Sequence, residues 1–278
     1  MSKIFSKTAY IFLPLFTLAA FAATPKPDNR KLVFSDEFNG RRGTRVDAAK
    51  WTAEIGGQGW GNQELEFYTD SAENAFLDGK GSLVIKAIKK DLPPSFNCWY
   101  GQCRYTSARL VTKGKFDFKY GRFEARIKIP RGQGMWSAFW LLGNNVDSVG
   151  WAQCGEIDIM ENIGREPLTV HGTIHGPGYS GANSIGAPFS SANSQKFADD
   201  FHIYATERSE NKIAFYVDGK LYKTITPQDL PAGKVWVYDH PFFIILNFAV
   251  GGNWGGNPDA TTVFPQEMLI DYVRVYSQ

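Results

Sequence analysis

The sequence predicts an all-β protein, a sandwich of two antiparallel sheets. Three observations carry this. From Arg122 to Ile129, Phe123, Ala125, Ile127 and Ile129 alternate with Arg122, Glu124, Arg126 and Lys128, the period-2 pattern of a half-buried strand. Between Ile213 and Ile225 two strand-like runs flank Asp218-Gly219, a turn that joins antiparallel neighbours. Elsewhere, short apolar runs are separated by Gly, Asn, Asp and Pro, and helical periodicity is scarce; Ser194 to Asp200 is the best place for a turn or two of helix.

The chain opens with a basic start (Lys3, Lys7), a largely apolar run from Ala9 to Phe21, and small residues at Ala20 and Ala22. That is the pattern of a signal peptide over residues 1–22, followed by one domain over 23–278 in a secreted or periplasmic protein. The run is short and interrupted by Pro14, a poor membrane span, so no membrane association is expected after cleavage. Without Lys3 and Lys7 the numbers of basic and acidic residues are equal. Such a balance offers nothing that would draw the protein to nucleic acid or anionic lipid. Aromatic residues make up 15% of the sequence, and wide aromatic faces suit sugar rings as well as a core.

Along the chain, Lys31 to Phe34 reads as the opening strand. Gly56 to Tyr68 mixes glycines and amides with Trp60, Phe67 and Tyr68: a loop over a ligand or a plain surface turn. Leu83 to Ile88 is a short strand after the turn at Asp78-Gly79-Lys80-Gly81. Asp91 to Arg104 is a loop in which Cys98 and Cys103 could form a local bridge, although spacing alone leaves that open. Cys154 reads as a small buried residue. Met135 to Leu142 is apolar on both faces, as a central strand is, with Trp136 and Trp140 on one side. Thr169 to Ile174, Phe242 to Val250 and Leu269 to Tyr276 complete the strands, the first pairing with the acidic stretch.

That acidic stretch, Glu156-Ile157-Asp158-Ile159-Met160-Glu161, carries the chemistry. Side chains two apart on a strand share a face, which unites Glu156 and Asp158 and sends Glu161 to the other side unless a β-bulge intervenes. Two carboxyl groups about 5–5.5 Å apart across a glycosidic bond suit double-displacement hydrolysis. A solvated strand with unremarkable charges fits the spacing too, and clustered carboxylates attract hard cations. His171 and His175 form an HxxxH pair that lacks a third ligand.

The stretch Gly155 to Glu161 resembles the ExDxxE signature of glycoside hydrolase family 16, in the bulged form of its laminarinase-like β-1,3-glucanases. The resemblance extends over VFSDEFNG at 33–40, GWGNQELEFYT at 59–69, YGRFEARIKIP at 120–130 and MWSAFWLLG at 135–143. It continues through DFHIYATE at 200–207, ILNFAVGGNWGG at 245–256 and FPQEMLIDYVRVYS at 264–277. It implies a jelly-roll, concanavalin A-like sandwich with a substrate cleft on its concave face. It implies Glu156 as nucleophile, Glu161 as acid/base, Asp158 as the nucleophile's assistant, and Met160 as the extra residue of the bulge.

The same resemblance places His175 near the catalytic centre, and Asn62, Arg109, Trp136 and Trp151 in glycone-side sugar subsites, with Trp254 as a further contact. No cofactor is needed for the chemistry, but a structural calcium ion would take Glu37, the Gly79 carbonyl and Asp271. The expected partner is a β-glucan polysaccharide, met by a monomer. Alternatives within the fold are mixed-linkage β-1,3-1,4-glucanases and galactan-cleaving relatives; from another class, a non-catalytic glucan-binding protein. The chain departs from the family where Arg208 replaces a frequent Trp, and where Ser137 and Ala152 replace frequent Pro. The 91–104 loop resembles an insertion.

Overall fold

The computed structural model describes residues 30–192 and 194–278; the signal segment lies outside them. Two large sheets face each other. The cleft sheet runs in the order Ile185–Ser190, Thr169–His175, Glu156–Ile163, Met135–Gly143, Phe242–Val250, Arg109–Val111 and Thr52–Glu54. The outer sheet is centred on Gly121–Lys128 and Gln266–Tyr276, flanked by His202–Ser209 with the predicted hairpin on one side and Leu83–Lys89 on the other. Among the described residues all large-sheet pairings are antiparallel except Glu66–Tyr68 with Tyr105–Ser107, where a long excursion returns the chain in the same direction.

Alternation builds the core. Phe123, Ala125 and Ile127 of the outer sheet meet Phe139, Leu141, Leu246 and Phe248 of the cleft sheet, all buried. Truncating such a side chain as Phe139 to Ala costs about 3–5 kcal/mol through lost burial and a cavity. The cleft sheet leaves its other face open, and there the strands present Trp136, Trp140, Glu156, Asp158 and Glu161.

A bulge in the acidic strand makes this possible. Asp158 lies opposite Thr173 and Glu161 opposite His171, so Ile159 and Met160 together face Gly172. Both enter the core beside Ile157, and the acids on either side of them emerge on one face. Gly172 suits the crowding: a Cβ there would lie 2.2 Å from the Tyr222 hydroxyl. Against the strand Met135–Gly143 the unpaired residue is Ile159, because Met160 pairs with Phe139; the extra residue is therefore one place earlier than the family pattern suggested.

The helix expected over 194–200 is absent from the described residues. Phe197 is buried against Phe189, Tyr204 and His202, and its N–H donates to the Pro167 carbonyl, which holds the segment as turns. So short a segment has little helical tendency to oppose that anchoring. A single helical turn forms instead at Val146–Val149. Cys98 and Cys103 are joined in a disulfide, and Cys154 is free and buried, its thiol pushed up to about 11 by burial. Among the described residues no helix is long and apolar enough to cross a membrane.

Candidate active site

Each flanking glutamate of the acidic strand is held by an indole. Trp151 Nε1 donates to Glu156 Oε2 at 2.9 Å, and Trp136 Nε1 donates to Glu161 Oε1 at 3.0 Å. Trp136 comes from the neighbouring strand, Trp151 from the turn leading into Glu156. Between them Asp158 is buried, with Oδ2 lying 3.1 Å from His175 Nε2 but without a well-aligned hydrogen bond. The same imidazole nitrogen lies 3.8 Å from Glu156 Oε1. The Gly181 N–H donates to His175 Nδ1, so the neutral ring carries its proton on Nε2, facing the carboxylates.

Electrostatics disfavours three charges here. Burial pushes Glu156 up to about 8, helped by the Asp158 charge and opposed by His175 and the Trp151 N–H. Burial raises Asp158 to about 8 as well. Glu161 is driven well above the usual carboxylate range, first by burial and then by Asp158. Groups so close titrate as a set that retains protons near neutral pH. Such a set can hold one carboxyl as an acid and another as a nucleophile.

The other expected residues surround this centre. Trp254 packs edge-on against Trp136, with ring centres 5.4 Å apart, and Trp140 shares the open face with Trp136. The Arg109 guanidinium lies between the rings of Trp60 and Trp140, 4.8 Å from each, and its Nε donates to Glu54. Asn62 donates to Glu64 Oε1, and its carbonyl accepts from the Asn253 N–H in the turn bearing Trp254. The histidines of the HxxxH pair part company: His175 joins the acids, while His171 contacts Glu166 at 2.9 Å and Trp254. His175, Glu156 and Asp158 offer ligand atoms within 4.8 Å of one another, a donor set able to hold a cation.

Sequence reasoning missed a second acidic set. Glu64, Glu66 and Tyr68 alternate on one face, the same two-apart signal as Glu156 and Asp158, in a stretch read as loop. A hydrogen-bonded chain runs from Trp140 Nε1 to Asn247, from Asn247 to the Tyr68 hydroxyl, and from there to Glu64. Glu66 is wholly buried and accepts the Val250 N–H at 2.6 Å. Burial raises both carboxyls, and the Glu64 charge raises Glu66 further.

The calcium set does not fit as it stands. Both oxygens of Glu37 accept from Arg274, at 2.9 and 2.7 Å, and Asp271 pairs with Arg126 at 2.8 Å. A cation would have to displace two guanidinium groups to gather these oxygens with the Gly79 carbonyl.

Comparison with known proteins identifies the family. Residues 59–274 match the sequence model of the Glycosyl hydrolases family 16. The chain is 38% identical to a beta-glucanase from Rhodothermus marinus, over 99% of this chain and 96% of that protein. It is 40% identical to the glucan endo-1,3-beta-glucosidase A1 of Niallia circulans, over 89% of this chain but 38% of that longer protein. The laminarinase catalytic domain from Thermotoga maritima superimposes with a TM-score of 0.83 at 50% identity, over 90% of this chain and 98% of that one. The chain belongs to glycosyl hydrolase family 16 and is a glycoside hydrolase with the family's jelly-roll sandwich.

Proposed function

We propose that the protein is an exported endo-β-1,3-glucanase of the laminarinase type that cleaves with retention. The observation that carries this reading is the union of Glu156, Asp158 and Glu161 on one face by the bulge, with an indole N–H on each glutamate. The names of the relatives point to β-1,3-glucan as substrate, and the basic-apolar leader supports export.

In this mechanism Glu156 Oε attacks the anomeric carbon while Glu161 delivers its proton to the departing glycosidic oxygen. The bond to the leaving sugar breaks as the glycosyl-enzyme ester forms. Glu161, now ionised, takes a proton from water; the resulting hydroxide attacks the anomeric carbon and Glu156 leaves as carboxylate. Asp158 and His175 hold Glu156 in place and stabilise its ionised form with a proton from their side of the cluster. Trp136, Trp151, Asn62, Arg109 and Trp254 would meet the sugar rings, aromatic faces against C–H and polar groups against hydroxyls.

The test is turnover of laminarin, lichenan, agarose and xyloglucan, with the first product's anomer followed by NMR. Laminarin is expected to be cleaved best, with retention, and Glu156→Gln to abolish turnover while leaving the fold intact. An inverted first product would exclude the mechanism. Laminarin binding without release of reducing ends would favour a binding protein instead.

A further inference from the structure

We propose that the disulfide-closed loop 91–104 builds an additional sugar subsite at one end of the cleft. The Trp99 indole is its platform, for a pyranose of a β-glucan lying beyond those met by Asn62 and Arg109. The proposal rests on the glucanase reading above and extends it to a segment that resembles an insertion.

The ring is exposed yet fixed. Trp99 is 48% exposed. Its backbone N–H donates to the Gly57 carbonyl at 2.9 Å, and its indole Nε1 donates to the Glu64 carbonyl at 2.7 Å. The Cδ1–Nε1 edge of the ring lies against Gly59, where a Cβ would come 2.8 Å from Cδ1 and 3.1 Å from Nε1. Gly59 has a positive φ of 80°, so the bare backbone there suits both the turn and the close approach. Cys98, the preceding residue, is locked to Cys103 and bridges Gly57. An aromatic surface ordered before the ligand arrives loses little conformational entropy on binding.

The platform is continuous with the catalytic centre. The Gly59 carbonyl accepts the N–H groups of Asn62 and Glu64. Gly252 fits between the Asn62 carbonyl and the Trp136 ring, with 3.2 and 3.3 Å to a Cβ built there. Trp136 in turn holds Glu161. A glucan chain leaving the acids past Trp136 and Asn62 therefore reaches Trp99 next. Tyr100 packs edge-on against Trp99 at 5.6 Å, and past it a recess of about 300 Å³ is lined by Gln102, Arg104 and Asn257. These amides and the guanidinium suit hydroxyl groups, as the indole suits the C–H face of the ring.

The experiment compares wild type, Trp99→Ala and Trp99→Phe for thermal stability and for kcat/KM on β-1,3-glucan oligosaccharides of increasing length and on laminarin. The expected result is a loss in Trp99→Ala that grows with chain length, about tenfold larger on long chains than on the shortest cleaved, equivalent to about 1.4 kcal/mol. Trp99→Phe should recover most of it, because the aromatic face remains. A loss equal at every length, accompanied by a lower melting temperature, would assign Trp99 a purely structural role and overturn the subsite. A length profile identical to wild type would overturn it too, while leaving the glucanase reading intact. A wild-type protein inactive on laminarin would remove both.

Discussion

Trp136 Nε1 lies 3.0 Å from Oε1 of Glu161, and Trp151 stands in the same relation to Glu156, so the two carboxyls assigned as acid/base and nucleophile in the proposed mechanism each receive one indole N–H. Both bonds favour the ionised carboxylate and lower its pKa. Their removal should move opposite limbs of the pH–rate profile. The acid must be protonated, so Trp136→Phe, which raises Glu161, extends activity to higher pH on the alkaline side. The nucleophile must be ionised, so Trp151→Phe, which raises Glu156, cuts activity on the acid side. Each limb should shift upward by about one pH unit, the worth of a hydrogen bond to a charged group. Both rings also meet sugar in the proposed mechanism, so the limb positions in kcat are the readout. Shifts of the wrong limb in each variant would exchange the roles of the two glutamates.

Glu156→Gln should stabilise the protein while destroying its activity. Glu156 has its folded-state pKa raised from 4.5 to about 8, mainly by burial. Below about pH 4.5 both folded and unfolded states hold the proton, and the group contributes no pH dependence. As pH rises further the unfolded chain ionises while the folded one does not, so stability falls until about pH 8. Gln carries no such cost. The melting temperature of Glu156→Gln should therefore exceed that of wild type by a margin that widens from about pH 4.5 to 8 and then levels off. A constant margin across this range would mean that Glu156 is not strained in the folded state.

Much of this was legible in the sequence, because strands with one buried face write period-2 patterns. Phe123, Ala125 and Ile127 fall where alternation placed them, and Asp218-Gly219 makes its hairpin. The acids were visible as residues, but their common face was not, since a bulge depends on room across the strand at Gly172 and not on Ile159 or Met160 alone. Glu64 and Glu66 show the same spacing as Glu156 and Asp158, but the glycines and amides around them read as loop. Their surroundings depend on Val250, 184 residues from Glu66 in sequence, and on Asn247, 179 residues from Tyr68. Tertiary pairings of that range leave no local trace.

Calcium should have little effect on stability. Glu37 is held at two points by Arg274, which lowers its pKa, and Asp271 by Arg126. Melting curves with excess calcium and with a chelator are expected to coincide within about 1 °C, given that 1 kcal/mol shifts a domain of this size by about 2–4 °C. Stabilisation by several degrees, lost in Glu37→Gln, would show that the cation displaces these arginines.

Arg208 offers a further test of how the fold supports the acidic strand. It stands where the family resemblance gives Trp, and it is almost wholly buried. Its Nη2 donates to the carbonyls of Tyr238 and His240 at 2.6 and 3.0 Å, and its guanidinium lies 4.2 Å from the Phe242 ring centre. Nε has no partner among the described residues, and burial pulls the pKa down to about 9. The loop it holds reaches the acids: His240 Nε2 lies 3.1 Å from the Cys154 carbonyl, and the Tyr238 ring leaves no more than 3.2 Å for a Cβ at Gly155. Arg208→Ala removes donors from buried carbonyls and opens a cavity, a loss of about 3 kcal/mol or a fall of about 6–12 °C in Tm. Arg208→Met keeps the stem packed and sheds a costly buried charge, so it should lose less than Ala. If Met costs as much as Ala, the donated hydrogen bonds dominate and packing against Phe242 contributes little. If neither variant lowers the melting temperature, the loop does not depend on Arg208 at all.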